Sequence, residues 1–264
     1  MTPAGVAGPP GWRVVHRPVV DSTQAVARAL LEAGEGRAIR PDAALVVHGG
    51  EQTGGRGRHG RAWTSPPGNL YVTVAFPCPE GPRLGVEIGF VAGVALVETL
   101  AALGFGSDAR LKWPNDVLLG GAKVAGLLLE SVADADGIGW VQLGMGVNVA
   151  SAPPPGVVPY PATALNAHPA GDGVTPEAVL DPLLGRLADL TRQWRARGFK
   201  PVREAWLRHG LGLGETVGVR LGAERVFGVF EGLNPDGALI LREPSGDART
   251  ILAGDVFFPT PGED

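Results

Sequence analysis

The sequence has little of three things: cysteine, long apolar runs and excess positive charge. Its single cysteine, Cys78, lies between two prolines, so an internal disulfide is excluded and no spacing suits a zinc site. No stretch reaches the ~20 uninterrupted apolar residues that a membrane-spanning helix needs, and the N-terminus has no basic segment followed by an apolar one. We therefore expect a cytoplasmic protein that is neither exported nor bound to a membrane.

Positive charge does not dominate, because 23 Lys and Arg residues stand against 27 Asp and Glu, with a formal net charge of −4 and a pI near 5.8. This balance argues against a protein that binds nucleic acid over its whole surface, so any anion-binding site must be local. Glycine and proline, in contrast, are abundant at 41 and 24 residues, without a collagen-like period. We expect many structured loops.

The hydrophobic pattern divides the chain into a mobile tail (residues 1–12), a larger unit (13–211) and a small unit (212–264). In the larger unit, apolar spacing of three and four predicts helices at 21–34, 86–103, 176–197 and 202–208. The second of these is mostly apolar all round, as in a buried core helix. Apolar runs predict strands at 44–47, 70–76, 111–113, 117–119, 124–132 and 141–149. In the small unit, β-rich runs at 216–221, 226–233, 238–241 and 250–258 fit a small barrel.

A glycine-rich loop between two predicted strands, residues 51–63, is the most informative segment. Its glycines let the backbone approach a ligand closely, and Arg56, Arg58 and Arg61 offer guanidinium groups suited to phosphate oxygens. The loop also matches Gly-x-Gly-x-x-Gly, but Trp63 and two prolines follow where a dinucleotide-binding helix should begin, so we reject that match. The alternative to an anion-binding loop is a solvated basic loop or an RNA-binding patch.

A second cluster surrounds a predicted tight turn at residues 120–121. Its charged and amide side chains are those of Lys112, Asn115, Asp116, Lys123 and Glu130. This density of charge is enough to hold phosphates and a magnesium ion. Taken alone, Lys123 would be an ordinary exposed lysine of a turn.

The third motif ends an apolar strand with Gly144-Met-Gly-Val-Asn148. Glycines in a strand leave room for a flat ligand or a close neighbour, and Gly126 in the preceding strand indicates the same. Asn148 has the chemistry to bind a ribose or a phosphate; the alternative is a strand end with an asparagine turn. No nucleophile, base and orienting group for acyl-enzyme chemistry stand together, which favours catalysis by positioning and charge stabilisation.

Taken together, four motifs resemble the biotin protein ligase family. They are Gly-Arg-Gly-Arg-x-Gly-Arg-x-Trp at 55–63, Lys-Trp-Pro-Asn-Asp at 112–116, Lys-x-Ala-Gly-Leu-Leu-x-Glu at 123–130 and Gly-x-Gly-x-Asn at 144–148. The resemblance implies an α+β fold: a mixed sheet flanked by helices, related to class II aminoacyl-tRNA synthetases, followed by a small SH3-like β-barrel. It also implies that ATP and Mg²⁺ activate biotin as biotinyl-5′-adenylate, and that biotin then passes to a lysine of a biotin carboxyl carrier domain.

The resemblance assigns roles to residues of this sequence. Those assigned to biotin are Ser22, Thr23, Gln52, Gly55, Arg56, Arg58, Lys123, Gly126 and Gly144. Those assigned to ATP and the adenylate are Arg56, Arg58, Arg61, Trp63, Lys112, Asn115 and Asn148. The catalytic groups would be Lys123, Arg58, Lys112 and Asp116, with Asp116 in contact with the magnesium ion or with the incoming carrier lysine. The arginine loop would close over the adenylate and exclude water.

Other functions stay open at this point. A lipoate protein ligase or an octanoyltransferase resembles the family in fold, although the octanoyltransferase needs a pocket cysteine that Cys78 does not resemble. A nucleic-acid-binding adaptor built on the arginine–glycine loop would bind in a salt-sensitive way without ATP turnover. Gln24 stands where many family members carry Asn, and residues 161–165 follow the family pattern only loosely. We expect no operator DNA binding, since no helix-turn-helix precedes residue 13; monomer and homodimer are both open.

Overall fold

The computed structural model describes residues 6–78, 83–134, 136–137 and 139–259. Its strands are β1 (Arg13–Val20), β2 (Leu45–Gln52), β3 (Leu70–Pro77), β4 (Ala109–Lys112), β5 (Asp116–Leu119), β6 (Ala122–Ala133), β7 (Gly139–Val147), β8 (Thr216–Leu221), β9 (Glu224–Leu233), β10 (Leu239–Arg242), β11 (Ala248–Ile251) and β12 (Asp255–Phe257). Its helices are α1 (Thr23–Glu32), α2 (Arg83–Leu100), α3 (Pro176–Arg197) and α4 (Lys200–His209). Of the predicted mobile tail, residues 1–5 lie outside the described residues.

Seven strands form one large sheet in the order β1-β2-β3-β7-β6-β5-β4. β1 runs parallel to β2, and the other neighbours pair antiparallel. The sheet is therefore mixed, and helices cover both of its faces. The predicted fold class, a mixed sheet flanked by helices with a β-rich C-terminal part, is confirmed.

Strand β1 was not among the predicted elements. Its sequence, from Arg13 to Val20, has no clear two-residue alternation, because most of its side chains are exposed or half-buried at the edge of the sheet. Pro18 lacks a backbone N–H, which an edge strand tolerates because one side of its backbone needs no ladder partner. Tertiary position, rather than local pattern, makes this segment a strand.

The helices lie on opposite faces of the large sheet. α1 packs against side chains of β2 and β3, including Leu45, Val47 and Ala75, whereas α2 and α3 cover the alternate residues, such as Val46 and Val74. This division follows from the alternation of side chains along a strand. α1 begins where Ser22 Oγ accepts the N–H of Ala25 at 3.1 Å, the hydrogen bond typical of an N-cap serine.

Helix α2 is confirmed as a buried core helix. The segment Gly85–Phe105 is long and apolar enough to cross a membrane by length and composition, but 67% of its apolar 18-residue window is buried inside the protein. A helix that is apolar on nearly every side needs cover on nearly every side. α3, α4 and the large sheet supply that cover.

Five strands form the C-terminal antiparallel sheet, in the order β11-β10-β9-β8-β12. The predicted run 250–258 is two strands instead of one, because residues 252–254 turn the chain between β11 and β12. This sheet packs on the larger part through aromatic contacts, including Trp206 and Phe230 at 6.5 Å between ring centroids. Trp113 Nε1 also donates to the carbonyl of Gly237 at 3.1 Å. The boundary at residue 212 stays a prediction.

Candidate active site

A cavity of about 500 Å³ lies where the start of α1, the glycine-rich loop, strands β5–β7 and strand β12 meet. Ser22, Thr23 and Gln24 line it from α1, and Val256 to Phe258 line it from the C-terminal sheet. This volume falls in the range of small-molecule sites, which commonly form where structural units meet. Most of the residues that were predicted from the sequence motifs line this cavity.

One end of the cavity carries an uncharged hydrogen-bonding network. Gln52 Oε1 accepts from the backbone N–H of Thr23 at 2.9 Å and from its hydroxyl at 3.2 Å. The Thr23 hydroxyl also lies 2.8 Å from that of Thr73, and Gln52 Nε2 donates to Ser65 Oγ at 3.0 Å. These bonds fix the rotamers of Thr23 and Gln52. Thr73 and Ser65 support the network and were not predicted.

Three glycines form the floor of the cavity on β6 and β7. Gly126 and Gly146 are paired in the sheet register, and the indole of Trp63 lies directly on them. A Cβ at Gly146 would stand 2.6 Å from Trp63 Nε1, and one at Gly144 would stand 2.8 Å from Gln24 Oε1. The glycines therefore allow neighbouring side chains to approach the strands closely. Among the described residues, buried Trp63 Nε1 has no hydrogen-bond partner.

Another part of the cavity lining carries charge. Lys123 Nζ lies 2.6 Å from Asp116 Oδ1, and Lys112 Nζ lies 4.0 Å from Asp116 Oδ2. Lys123 also lies over two aromatic rings, 5.4 Å from the centroid of Trp63 and 4.9 Å from that of Tyr160. Burial lowers the pKa of Lys112, and the nearby charge of Lys123 adds to this effect, while Asp116 opposes it.

The turn between β4 and β5 positions this cluster. The Trp113–Pro114 peptide bond is cis, and Trp113 is buried against the C-terminal sheet. Asn115 Nδ2 donates to the carbonyl of Leu127 at 2.7 Å, and the Leu127 N–H returns a bond to the carbonyl of Asn115 at 2.9 Å. The residue before Asp116 is thereby tied to strand β6 by two hydrogen bonds.

The glycine-rich loop reaches over the cavity through two arginines. Arg58 Nη1 donates to Asn115 Oδ1 at 3.2 Å and to Asp255 Oδ1 at 3.1 Å, and Arg61 pairs with the same carboxylate. Arg56 is exposed but also lines the cavity. The loop is therefore in contact with both the motif 112–116 and the C-terminal sheet.

Most of the predicted site residues line this one cavity. They are Ser22, Thr23, Gln52, Arg56, Arg58, Arg61, Trp63, Lys112, Asn115, Asp116, Lys123, Gly126 and Gly144. Gly55 and Asn148 are not among the lining residues. The carbonyl of Gly55 accepts the N–H of Trp63 at 2.9 Å, and buried Asn148 donates to the carbonyl of Thr163 at 3.1 Å. The structure thus gives these two residues contacts within the protein.

Several lining residues were missed by sequence reasoning. Tyr160 lies in a proline-rich segment for which no helix or strand was predicted, and Arg220 and Asp255 lie in short strands of the C-terminal unit. None of the three belongs to a recognisable local motif. Only their positions in the folded chain indicate a role.

Comparison with known proteins agrees with the motifs. Residues 18–148 match the model of the Biotin/lipoate A/B protein ligase family, and residues 212–258 match that of the Biotin protein ligase C terminal domain. The biotin–[acetyl-CoA-carboxylase] ligase of Paracoccus denitrificans is 44% identical over 212 residues, covering 79% of this chain and 88% of that protein. The chain belongs to the biotin protein ligase family.

Other members of the biotin protein ligase family match over most of their length. The ligase of Mycobacterium tuberculosis is 32% identical over 252 residues, covering 93% of this chain and 89% of that protein. The biotin protein ligase of Aquifex aeolicus, solved in complex with biotin and ATP, is 28% identical with a TM-score of 0.76, covering 93% of this chain and 97% of that chain. Both parts of the chain thus have counterparts in biotin protein ligases.

Proposed function

We propose that this chain joins biotin to ATP as biotinyl-5′-adenylate and then transfers biotin to a lysine on the carrier domain of acetyl-CoA carboxylase. The observation that carries the proposal is the polarity of the cavity. Its Thr23–Gln52 end is neutral and hydrogen-bonding, whereas its Lys112–Lys123 end is cationic. Biotin has the same division, with an uncharged ureido ring at one end and a carboxylate at the other.

The neutral end suits recognition of the ureido ring. That ring presents one carbonyl acceptor and two N–H donors, which the Thr23 hydroxyl and the Gln52 amide can complement. The two side chains already hydrogen-bond to each other at 3.2 Å, so the ligand would replace an existing bond and leave no polar group unpaired. A site built in this way discriminates strongly against a ligand without those groups, such as lipoate.

The cationic end suits the first chemical step. A carboxylate oxygen of biotin would form a bond to the α-phosphorus of ATP, while the bond from that phosphorus to the bridging oxygen of the β-phosphate breaks and pyrophosphate leaves. This step brings two anions together, and Lys123, Lys112 and Arg58 would offset the repulsion. Lys123 is held in place by Asp116 at 2.6 Å, so its charge is preorganised.

The residues present fit a magnesium ion that arrives with the nucleotide. Across the part of the chain that the structure describes, no three His, Cys, Asp or Glu side chains gather into a metal-binding group. Mg²⁺ bound to nucleotide phosphates, however, commonly takes only one or two protein carboxylates. Asp116 would supply that ligand, and the ion would offset negative charge on the phosphates.

The second half-reaction needs the amine of the carrier lysine in its neutral form. That amine would attack the acyl carbon of the adenylate, form the amide and release AMP. Asp116 lies at the cavity with 18% of its side chain exposed, so it can accept the amine proton on arrival of the lysine. Since the reaction uses cellular ATP and the only cysteine is buried, we place the enzyme in the cytoplasm.

The direct test incubates the purified chain with MgATP and biotin, with lipoate in a parallel reaction. Pyrophosphate release and enzyme-bound adenylate are followed by a coupled assay and mass spectrometry, and a biotin carboxyl carrier domain is then added. We expect adenylate only with biotin and one biotinylated lysine on the carrier. Adenylate with lipoate alone, or no turnover with either acid, would overturn the proposal.

A further inference from the structure

Asp255, the first residue of β12, places its carboxylate between two arginines of the glycine-rich loop. Its Oδ1 accepts a hydrogen bond from Arg58 Nη1 at 3.1 Å, and its Oδ2 pairs with Arg61. The same Arg58 nitrogen donates to the carbonyl of Gly254 at 3.2 Å. A strand of the C-terminal sheet therefore holds two side chains that the proposed mechanism assigns to phosphate.

The carboxylate of Asp255 is ionised at neutral pH. Burial alone would raise its pKa, but the hydrogen bond from Arg61 and the charges of Arg61 and Arg58 outweigh burial and hold the pKa below its usual value. About a third of the side chain, 32%, is exposed to solvent. Asp255 is thus a charged, accessible acceptor at the mouth of the cavity.

Side-chain contacts of its arginines add to the backbone bonds that hold the loop. Its backbone closes a small hairpin on itself, with a bond of 2.7 Å from Gly57 N–H to the carbonyl of Arg61 and a bridge between Arg56 and Ala62. The tip, at His59 and Gly60, is exposed. The base of the loop is held by a backbone bond of 2.8 Å from Gly54 N–H to the carbonyl of Asp21. The arginine side chains join the hairpin itself to Asn115 and to Asp255.

Among the residues that the structure describes, the lining of the cavity is short of negative charge. Six cationic side chains and two carboxylates belong to this described lining, a formal excess of four positive charges. The cations are Arg56, Arg58, Arg61, Lys112, Lys123 and Arg220. A carboxylate and a phosphate offer a guanidinium the same pair of acceptor oxygens. Asp255 thus binds the two loop arginines in the way that a nucleotide phosphate can bind them.

We propose that Asp255 is a positioning residue that holds Arg58 and Arg61 over the cavity before nucleotide arrives. When nucleotide binds, the two arginines exchange the Asp255 carboxylate for phosphate oxygens of the nucleotide. The holding step is a property of the ligand-free protein, whereas the exchange step rests on the proposed function. Preorganisation of this kind lowers the ordering cost of binding. The C-terminal sheet would in this way contribute to ATP binding through the loop.

The test replaces Asp255 with asparagine in the full chain and measures amide hydrogen exchange of residues 56–62 without ligand. Loss of a partly exposed ion pair worth about 1 kcal/mol should make exchange in this segment about fivefold faster. With a saturating non-hydrolysable biotinyl-adenylate analogue, the difference should vanish, because the phosphate then holds the arginines. Unchanged exchange in the ligand-free variant would overturn the proposal.

Steady-state kinetics separate positioning from a general structural effect. In Asp255→Asn the KM for ATP should rise about fivefold, because a smaller fraction of the protein has the loop in its competent position, while the KM for biotin should change by less than about twofold. Asp255→Glu keeps the charge and should restore most of the ATP affinity. A fall in the KM for ATP would show that Asp255 competes with nucleotide, and would also overturn the proposal.

A matched control exists in the same sheet. Glu231 pairs with Arg242 on the exposed side of the C-terminal unit, so Glu231→Gln removes the same charge without touching the loop and should leave exchange at 56–62 unchanged. Failure of the proposed function would appear separately, as absence of biotin-dependent adenylate in the wild-type chain. The exchange measurement in the ligand-free protein does not depend on that activity.

Discussion

Lys123 and Gly126 face the same cavity although three positions separate them on strand β6. In a regular strand, residues an odd number apart point to opposite faces. The pairing of β5 with β6 shifts register between Val117 and Leu118, and this irregularity brings the Lys123 side chain to 3.3 Å from the position of a Cβ at Gly126. A bulge commonly re-aims a side chain next to a functional site. Here it brings the Lys123 ammonium to the Asp116 carboxylate.

Replacement of Lys123 by glutamine should abolish most of the adenylation activity. The variant keeps the length of the side chain but loses the charge that offsets the biotin carboxylate and the α-phosphate. Loss of one preorganised charge-stabilising group typically costs about 10²–10³ in kcat. Biotin-dependent pyrophosphate release measures the effect, and Lys200→Gln, at a lysine exposed on α4, is the control. A loss of less than about threefold would remove Lys123 from the mechanism.

Replacement of Arg58 by glycine should let the adenylate escape. The variant loses the bonds to Asn115 and Asp255, and the open loop no longer excludes water or retains the intermediate. We expect biotin on many lysines of a bystander protein, mapped by mass spectrometry. Arg40→Gly removes an arginine that pairs with Asp42 outside the cavity lining, and it should label only the carrier. Labelling confined to the carrier in Arg58→Gly would contradict loop closure.

Much of the fold was accessible from the sequence because local pattern and tertiary position agree in the central elements. Helix α3 has the bounds predicted from apolar spacing, with Thr175 capping it and Gly198 ending it. Strand β8 also has its predicted bounds. Strand β1 was missed because an edge strand with a proline carries little of the two-residue pattern.

The candidate site was predictable where its residues form local motifs and not where distant segments meet. Lys112 to Asp116 and the arginine loop could be predicted because each is contiguous in sequence. Asp255 could not, because the geometry of two packed units alone brings it 3.1 Å from Arg58. The bulge that turns Lys123 into the cavity likewise depends on strand pairing.

Replacement of Gly146 by alanine should displace Trp63. The new Cβ would stand 2.6 Å from Trp63 Nε1, closer than any packed contact, so the indole must move. We expect a change in tryptophan fluorescence, a higher KM for ATP and a loss of about 1–3 kcal/mol in the free energy of unfolding. Gly185→Ala is the control, because a Cβ on this exposed face of α3 meets nothing within 4 Å; it should stabilise by about 0.4–1 kcal/mol. A Gly146→Ala variant with unaltered fluorescence would contradict the contact.

The free energy of unfolding should decrease as the pH falls, because of a buried histidine that lies away from the cavity. His48 Nδ1 lies 3.3 Å from His16 Nδ1. Burial lowers the pKa of His48 from 6.5 to about 4, and the charge of His16 adds to the effect, while Glu177 opposes it. Between pH 6.5 and about 4 the unfolded chain therefore binds more protons at this residue than the folded chain. The contribution of His48 to the free energy of unfolding is complete above pH 6.5 and is lost as the pH falls from 6.5 to about 4.

The loss attributable to His48 is about 2 kcal/mol between pH 7.5 and pH 5, from the free energy of about 1.4 kcal/mol per pKa unit. Urea unfolding at the two pH values measures it. In His48→Asn this part of the pH dependence should disappear, since asparagine does not titrate. His16→Asn should retain most of it, because burial is the larger cause of the shift and remains. An equal pH dependence in wild type and His48→Asn would show that the imidazole binds its proton equally well in the folded and the unfolded chain, and would contradict the lowered pKa.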